Sequence, residues 1–466
     1  MKHARRIPAI GLSLLALAGR VRAEPPREAD AFLPEDWIVT VEPTHPTHRG
    51  MHWYYDDMML PYRAIQRAKH ALETRYGGNW RLGGENGGAA GVALRFFVGT
   101  VPDFGLFMAG QNLHHAAGHD AAAREFALSF GDRRSVPSRF TQVLPNYLGG
   151  RLLRTAERQP DGRGADALSR AMSLPMEAEL VFGYEQGKEL LASRSSNATA
   201  VQRFLLYRTR FLMDYAENGT LDQAFIDSQQ PGASGRISGP GFSTDFTWYL
   251  HYLNRNRYGV LRVDDYKLKT GDIKTAFYLQ AADPLMWTAL YAWGRDYLVG
   301  ARNTTSLPMI RLGAEAAYFP SLRVFFSPFG VEYFQDNYAR RRGALANAYW
   351  TVGDNRYEKR YGAGLDVRGI SLPHGITLGA YVQLHRQPLL SRITDQTPLS
   401  PAETGQGHLA YNLGGTLQIP VWTFGSGPDP RRLFLHARAG IKNLSWFPGE
   451  YLGSGAYVQT GLGVRL

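Results

Sequence analysis

From about residue 308 to its end the chain runs in segments of about ten residues in which apolar side chains alternate with polar or small ones. A period of two suits a strand, which places one kind on each face, and excludes a helix over the same stretch. The last eleven residues keep the pattern without a slip: Ala456, Val458, Thr460, Leu462, Val464 and Leu466 share one face, and Tyr457, Gln459, Gly461, Gly463 and Arg465 the other. Ile376, Leu378, Ala380, Val382 and Leu384 stand in the same way against Thr377, Gly379, Tyr381, Gln383 and His385. The polar faces are rich in glycine, asparagine, glutamine and arginine, whereas the apolar faces seldom admit a charge.

Further strands are predicted over 310–318, 361–368, 409–419 and 433–441, with weaker ones at about 322–335 and 344–353, about eight in all. The link Leu372-Pro373-His374-Gly375 reads as a tight turn, and 388–407 as a long polar loop. Eight strands, alternately short and long connections, and one uninterrupted apolar face resemble the outer-membrane β-barrel proteins of Gram-negative bacteria. That likeness implies an antiparallel transmembrane barrel over 306–466, facing outer-membrane lipid. The terminal strand departs from it in one respect, ending in Leu466 where such assembly signals commonly end in an aromatic residue. The competing reading of the same alternation is a soluble antiparallel sandwich or lipocalin-like barrel.

The N-terminus points the same way. Lys2, His3, Arg5 and Arg6 precede an apolar run from Ile7 to Ala18, and Val21-Arg22-Ala23 offers a small-residue cleavage site, so residues 1–23 read as a secretory signal peptide. No stretch reaches the about 18 apolar residues of a transmembrane helix. The absence of cysteine excludes disulfides, thiolate chemistry and a lipoprotein anchor. Of the 52 basic residues, Lys2, Arg5, Arg6, Arg20 and Arg22 belong to the signal, leaving 47 against 41 acidic, a surplus of six that argues for no nucleic-acid partner.

Residues 24–305 read as mainly helical, which makes the whole chain α+β: a helical N-terminal domain followed by a small barrel. Val201, Phe204, Leu205, Phe211 and Leu212 recur at helical spacing after a capping Asn197, and Asp283-Pro284 opens another helix with its stripe at Leu285, Ala289, Trp293 and Tyr297. The segment 230–241 reads as a linker. His52-Trp-Tyr-Tyr-Asp-Asp57 is an aromatic and acidic cluster, taken as an exposed helix start in preference to a grip for a sugar or lipid head group. Arg340-Arg341-Arg342 reads as a solvated loop.

The sharpest chemical cluster is Asn112-Leu-His114-His115-Ala-Ala-Gly118-His119-Asp120, predicted on a helix. Residues four apart share a helical face, so His115 and His119 are candidate ligands of one zinc ion. The spacing and Gly118 resemble the His-Glu-x-x-His motif of zinc metallopeptidases over about five residues. By that resemblance a third ligand comes from Glu177 or Glu179, and an envelope peptide is the substrate. Ala116 stands where those enzymes carry the glutamate base, so the resemblance implies metal binding with impaired hydrolysis. Three function classes follow: a membrane-anchored envelope protein with an unidentified protein or peptide ligand, a metallopeptidase or its inactive descendant, and a structural or porin-like barrel. An eight-stranded bore is too narrow for an open pore.

Overall fold

The computed structural model describes 36–45, 88–105, 165–193, 195–217, 243–260, 262–390, 407–424 and 431–465, with single positions between 55 and 69 and at 107, 114 and 118. The predicted signal peptide, the linker at 230–241 and the loop from 391 to 406 lie outside these residues.

Among the described residues six α-helices precede most of the sheet: α1 (Gly88–Leu94), α2 (Ala165–Ala192), α3 (Ala198–Glu217), α4 (Ser243–Tyr252), α5 (Thr270–Ala281) and α6 (Pro284–Trp293). The predicted caps are in place. Asn197 Oδ1 accepts the Thr199 amide at 2.8 Å, and Asp283 Oδ1 accepts that of Leu285 at 3.1 Å with Pro284 in the first turn. Leu285, Ala289, Trp293 and, on the π-turn that prolongs α6, Tyr297 are all buried, as their stripe requires. They join Leu180, Val181, Phe204, Leu250 and Phe277 in a hydrocarbon core of the ordinary kind. No helix is long and apolar enough to cross a membrane among the described residues.

The strands are β1 (Asp36–His45), β2 (Ala316–Ser327), β3 (Gly330–Arg341), β4 (Ala344–Asp354), β5 (Lys359–Ser371), β6 (Thr377–Pro388), β7 (Gly407–Phe424), β8 (Arg431–Lys442) and β9 (Gly455–Arg465). From β2 to β9 each pairs antiparallel with the next, and β1 pairs with β9. A dipeptide, Ile310–Arg311, ends the sheet beside β2. Among the described residues the two ends of this order are not joined by hydrogen bonds.

Burial along the strands is inverted. Leu365, Val382, Leu384, Leu413, Leu435, Ile441, Val458 and Leu462 are exposed, while Glu332, Asp336, Arg360, His385, Asn412 and Lys442 on the opposite face are buried. The glycines of the inner face have a steric reason. Tyr349, Tyr381 and Tyr457 lie directly across from Gly364, Gly414 and Gly440 on the neighbouring strands. A Cβ at Gly440 would stand 2.5 Å from Tyr457 Oη, so each ring occupies the place of the side chain its partner lacks.

The helices cover the edge strand β2. Asp283 Oδ1 accepts from Ser321 Oγ at 2.8 Å and from the Leu322 amide at 2.9 Å. Arg208, paired with Asp283 at 2.7 Å, donates to the Leu322 carbonyl at 3.1 Å. Edge groups that would otherwise invite another strand are thereby satisfied.

Three sequence expectations change. Ile310 to Tyr318 is not one strand: Ile310 pairs back onto Tyr318 around the turn containing Gly313. The weak strand at 322–335 is the hairpin of β2 and β3, broken at Ser327-Pro328-Phe329-Gly330. β1 is a strand inside the region read as mainly helical. Of the arginine run, Arg341 and Arg342 are exposed, but Arg340 is tied down: its Nη1 donates to the Leu191 and Ser193 carbonyls at 3.2 and 2.6 Å and so caps the C-terminus of α2.

Candidate functional site

Between α2 and the inner face of the sheet lies a cavity of about 330 Å³, bordered by side chains from β2, β4 to β9, α2 and the segment of Tyr55 and Arg63. That Arg323 of β2 and Gln459 of β9 border one space measures how far the sheet curves around the helix. The strand residues arrive by alternation alone. Asp366 and Arg368, Tyr381 and Gln383, Thr416 and Gln418, and His436 and Arg438 are each two apart on one strand, hence on one face. From α2, Tyr184 and Lys188 make one four-residue pair, Glu185 and Glu189 the next.

Charges inside it are matched. Lys188 Nζ lies 2.6 Å from Glu185 and 3.3 Å from Asp366, and Arg368 lies 2.7 Å from Glu185 and 3.1 Å from Asp366, closing a ring of alternating sign. Arg63 pairs with Glu189 at 2.7 Å, and Tyr55 Oη donates to the same carboxylate at 2.9 Å. Arg438 pairs with Glu450 and lies 5.0 Å from the Tyr381 ring centre, and Arg323 pairs with Asp336 at 2.6 Å. Tyr381 and Tyr457 are hydroxyl to hydroxyl, and Tyr457 Oη donates to Asn412 at 2.9 Å. Burial, and next the neighbouring Arg368, pull the Lys188 ammonium below the ordinary lysine range. The mouth is marked by Arg368 and Glu189, whose side chains are both 42% exposed, and the floor by Lys188 and Glu185, at 3% and 5%.

Tyr55, from the aromatic and acidic cluster read as an exposed helix start, is buried at the cavity wall. That reading is corrected at this residue; the rest of the cluster lies outside the described residues.

The predicted metal site is not brought together within the described residues. His115 and His119 lie outside them, as does Ala116. Glu177 is fully buried and occupied: it pairs with Arg170, and accepts from Trp446 Nε1 at 3.0 Å and the Gly449 amide at 2.6 Å. Its work there is to pin the β8–β9 loop to α2. Glu179, two residues on and so on the opposite side of the helix, is also buried. Among the described residues no group of three or more His, Asp or Glu side chains is placed to hold a metal ion.

The histidine before that pair has a packing role. His114 is buried, its ring stacked on Phe182 at 3.7 Å between centres and hydrogen-bonded to Tyr207. Burial, helped by the charge of Arg203, pushes its imidazole well below the usual histidine range, which keeps it neutral. Gly118 is there because α2 passes too close for a side chain: a Cβ would stand 2.4 Å from Pro175 Cα.

No family model matches the chain, and neither the curated proteins nor the solved structures include one that does.

Proposed function

We propose that this chain is an outer-membrane β-barrel protein of the bacterial envelope whose bore is occupied by its own helices, so that it is an anchored, ligand-holding protein and not an open pore. The observation that carries the reading is the inverted sheet: leucine, isoleucine and valine outside, paired arginines and carboxylates inside. In water that arrangement is unfavourable on both faces, since each fully exposed large apolar side chain forfeits roughly 1.5–3 kcal/mol. Against hydrocarbon the outer face is solvated, and a polar bore is the usual interior. Helix α2, with Tyr184, Glu185 and Lys188 against the wall, fills the space through which ions would pass.

Fractionation of cells expressing the full chain tests the anchor: it should be recovered with the outer membrane and migrate faster on gels unless boiled. Recovery as soluble periplasmic protein would overturn the reading. In planar bilayers the plug predicts no steady conductance.

A further inference from the structure

We infer that the cavity between α2 and the sheet is a binding site for a neutral, polyhydroxylated ligand of about disaccharide size, a sugar and not an ion. The inference rests on the proposed function only for the chamber's setting; the chamber itself is a feature of the fold.

The first argument is charge balance. Five cations, Arg63, Lys188, Arg323, Arg368 and Arg438, border the space, and five carboxylates, Glu189, Glu185, Asp366, Glu450 and Asp336, are paired with them. An anion or cation entering would compete with these pairs, and at the buried ones would leave a charge uncompensated where that is costly. A neutral guest does not.

The second argument is the rest of the lining. Thr377, Gln383, Thr416, Gln418 and Gln459 offer hydroxyl and amide groups, each with both donor and acceptor character, suited to a ligand whose every hydroxyl is also both. The rings of Tyr55, Tyr184, Tyr349 and Tyr381 also border the space, those of Tyr184 and Tyr381 with Lys188, Arg323 and Arg438 against them.

The third is access and size. The space of about 330 Å³ lies at the low end of the range for ligand pockets, and it is bordered by the half-exposed side chains of Arg368 and Glu189.

The full chain, purified in detergent, is titrated calorimetrically with maltose, cellobiose and N,N′-diacetylchitobiose, and separately with inorganic phosphate and acetate. At least one neutral disaccharide should bind at millimolar concentration or better, and phosphate and acetate should not. The double variant Thr416→Val, Gln418→Leu removes hydrogen-bonding groups without touching a charge. It should weaken the sugar about tenfold, the loss of two net hydrogen bonds. Asp366→Asn leaves one cation in excess and should gain phosphate binding. Binding of no sugar, of phosphate by the unmutated protein, or undiminished sugar binding by the double variant overturns the inference. Gel mobility that still changes with heat shows in each case that the barrel reading stands apart from it.

Discussion

The helical half and the strand third of this molecule bury opposite chemistry. Between α2, α3, α4 and α5 the interior is Leu180, Val181, Phe204, Leu250 and Phe277. Along β5 to β9 the interior is Arg360, Asp366, His385, Arg438 and Lys442, and Leu365, Val382, Leu384, Leu435 and Leu462 are turned out, whereas β3 and β4 still lend Val331, Phe334 and Leu345 to the helical core. One chain obeys one rule, that a side chain goes where its transfer free energy is lower, so the two regions differ because their surroundings differ. The helices meet the sheet's inner face; under the proposed function the sheet's other face meets lipid.

The largest test of this contrast is at the joint between the regions. Glu177→Gln leaves the fully buried Arg170 without its carboxylate, and removing one partner of such a pair costs about 3–5 kcal/mol. A thermal melt should shift sharply, and Trp446, which with the Gly449 amide is left one acceptor oxygen in place of two, should report the change in fluorescence. A variant as stable as the parent would mean the loop is not held there.

A smaller effect decides what the outer face touches. Leu435→Arg places a charge on the exposed face of β8, and at mid-bilayer this costs about 2–4 kcal/mol, against less than about 0.5 on a water-exposed surface. Folding into lipid vesicles with urea titration separates the two; a null result would make the contrast one of crowding and not of solvent.

The smallest is confined to acid and to the helical half. His251 on α4 is hydrogen-bonded to Tyr266 at 2.9 Å, and burial, with the nearby Arg255 charge second, lowers its imidazole to about 4. Its folded value lies below the unfolded value near 6.5, so the native state holds fewer protons between them. Stability is complete above about pH 6.5 and is lost as pH falls toward about 4, on the order of 2 kcal/mol. His251→Gln should flatten that part of the profile, as read by thermal melts at pH 7 and 5.

Much of the wall could be read directly. The alternation placed Asp366, Arg368, Gln383, Thr416, Gln418, His436, Arg438 and Gln459 on polar faces, and all of them border the cavity. A strand's two faces are set by local geometry, so no distant contact is needed to predict them. The helix opposite was not legible as a wall. Glu185 and Lys188 look like an ordinary exposed pair at helical spacing, and only the curvature of a sheet more than a hundred residues later encloses them. In the histidine cluster, the glycine that favours a metallopeptidase likeness has a packing reason in the passing backbone of Pro175, while His115 and His119 lie outside the described residues. β1 was missed although Trp37-Ile38-Val39-Thr40-Val41 is rich in strand formers, because its continuous apolar run does not alternate.

β1 has a consequence for the order of events. Asp36 pairs with Arg465, a sequence separation of 429 residues (465 minus 36). Closing a loop of that length costs about 5 kcal/mol in chain entropy, recovered only when both strands are present. A chain emerging from its N-terminus carries an unpartnered strand through the synthesis of everything else, so the first strand to appear is among the last to be placed.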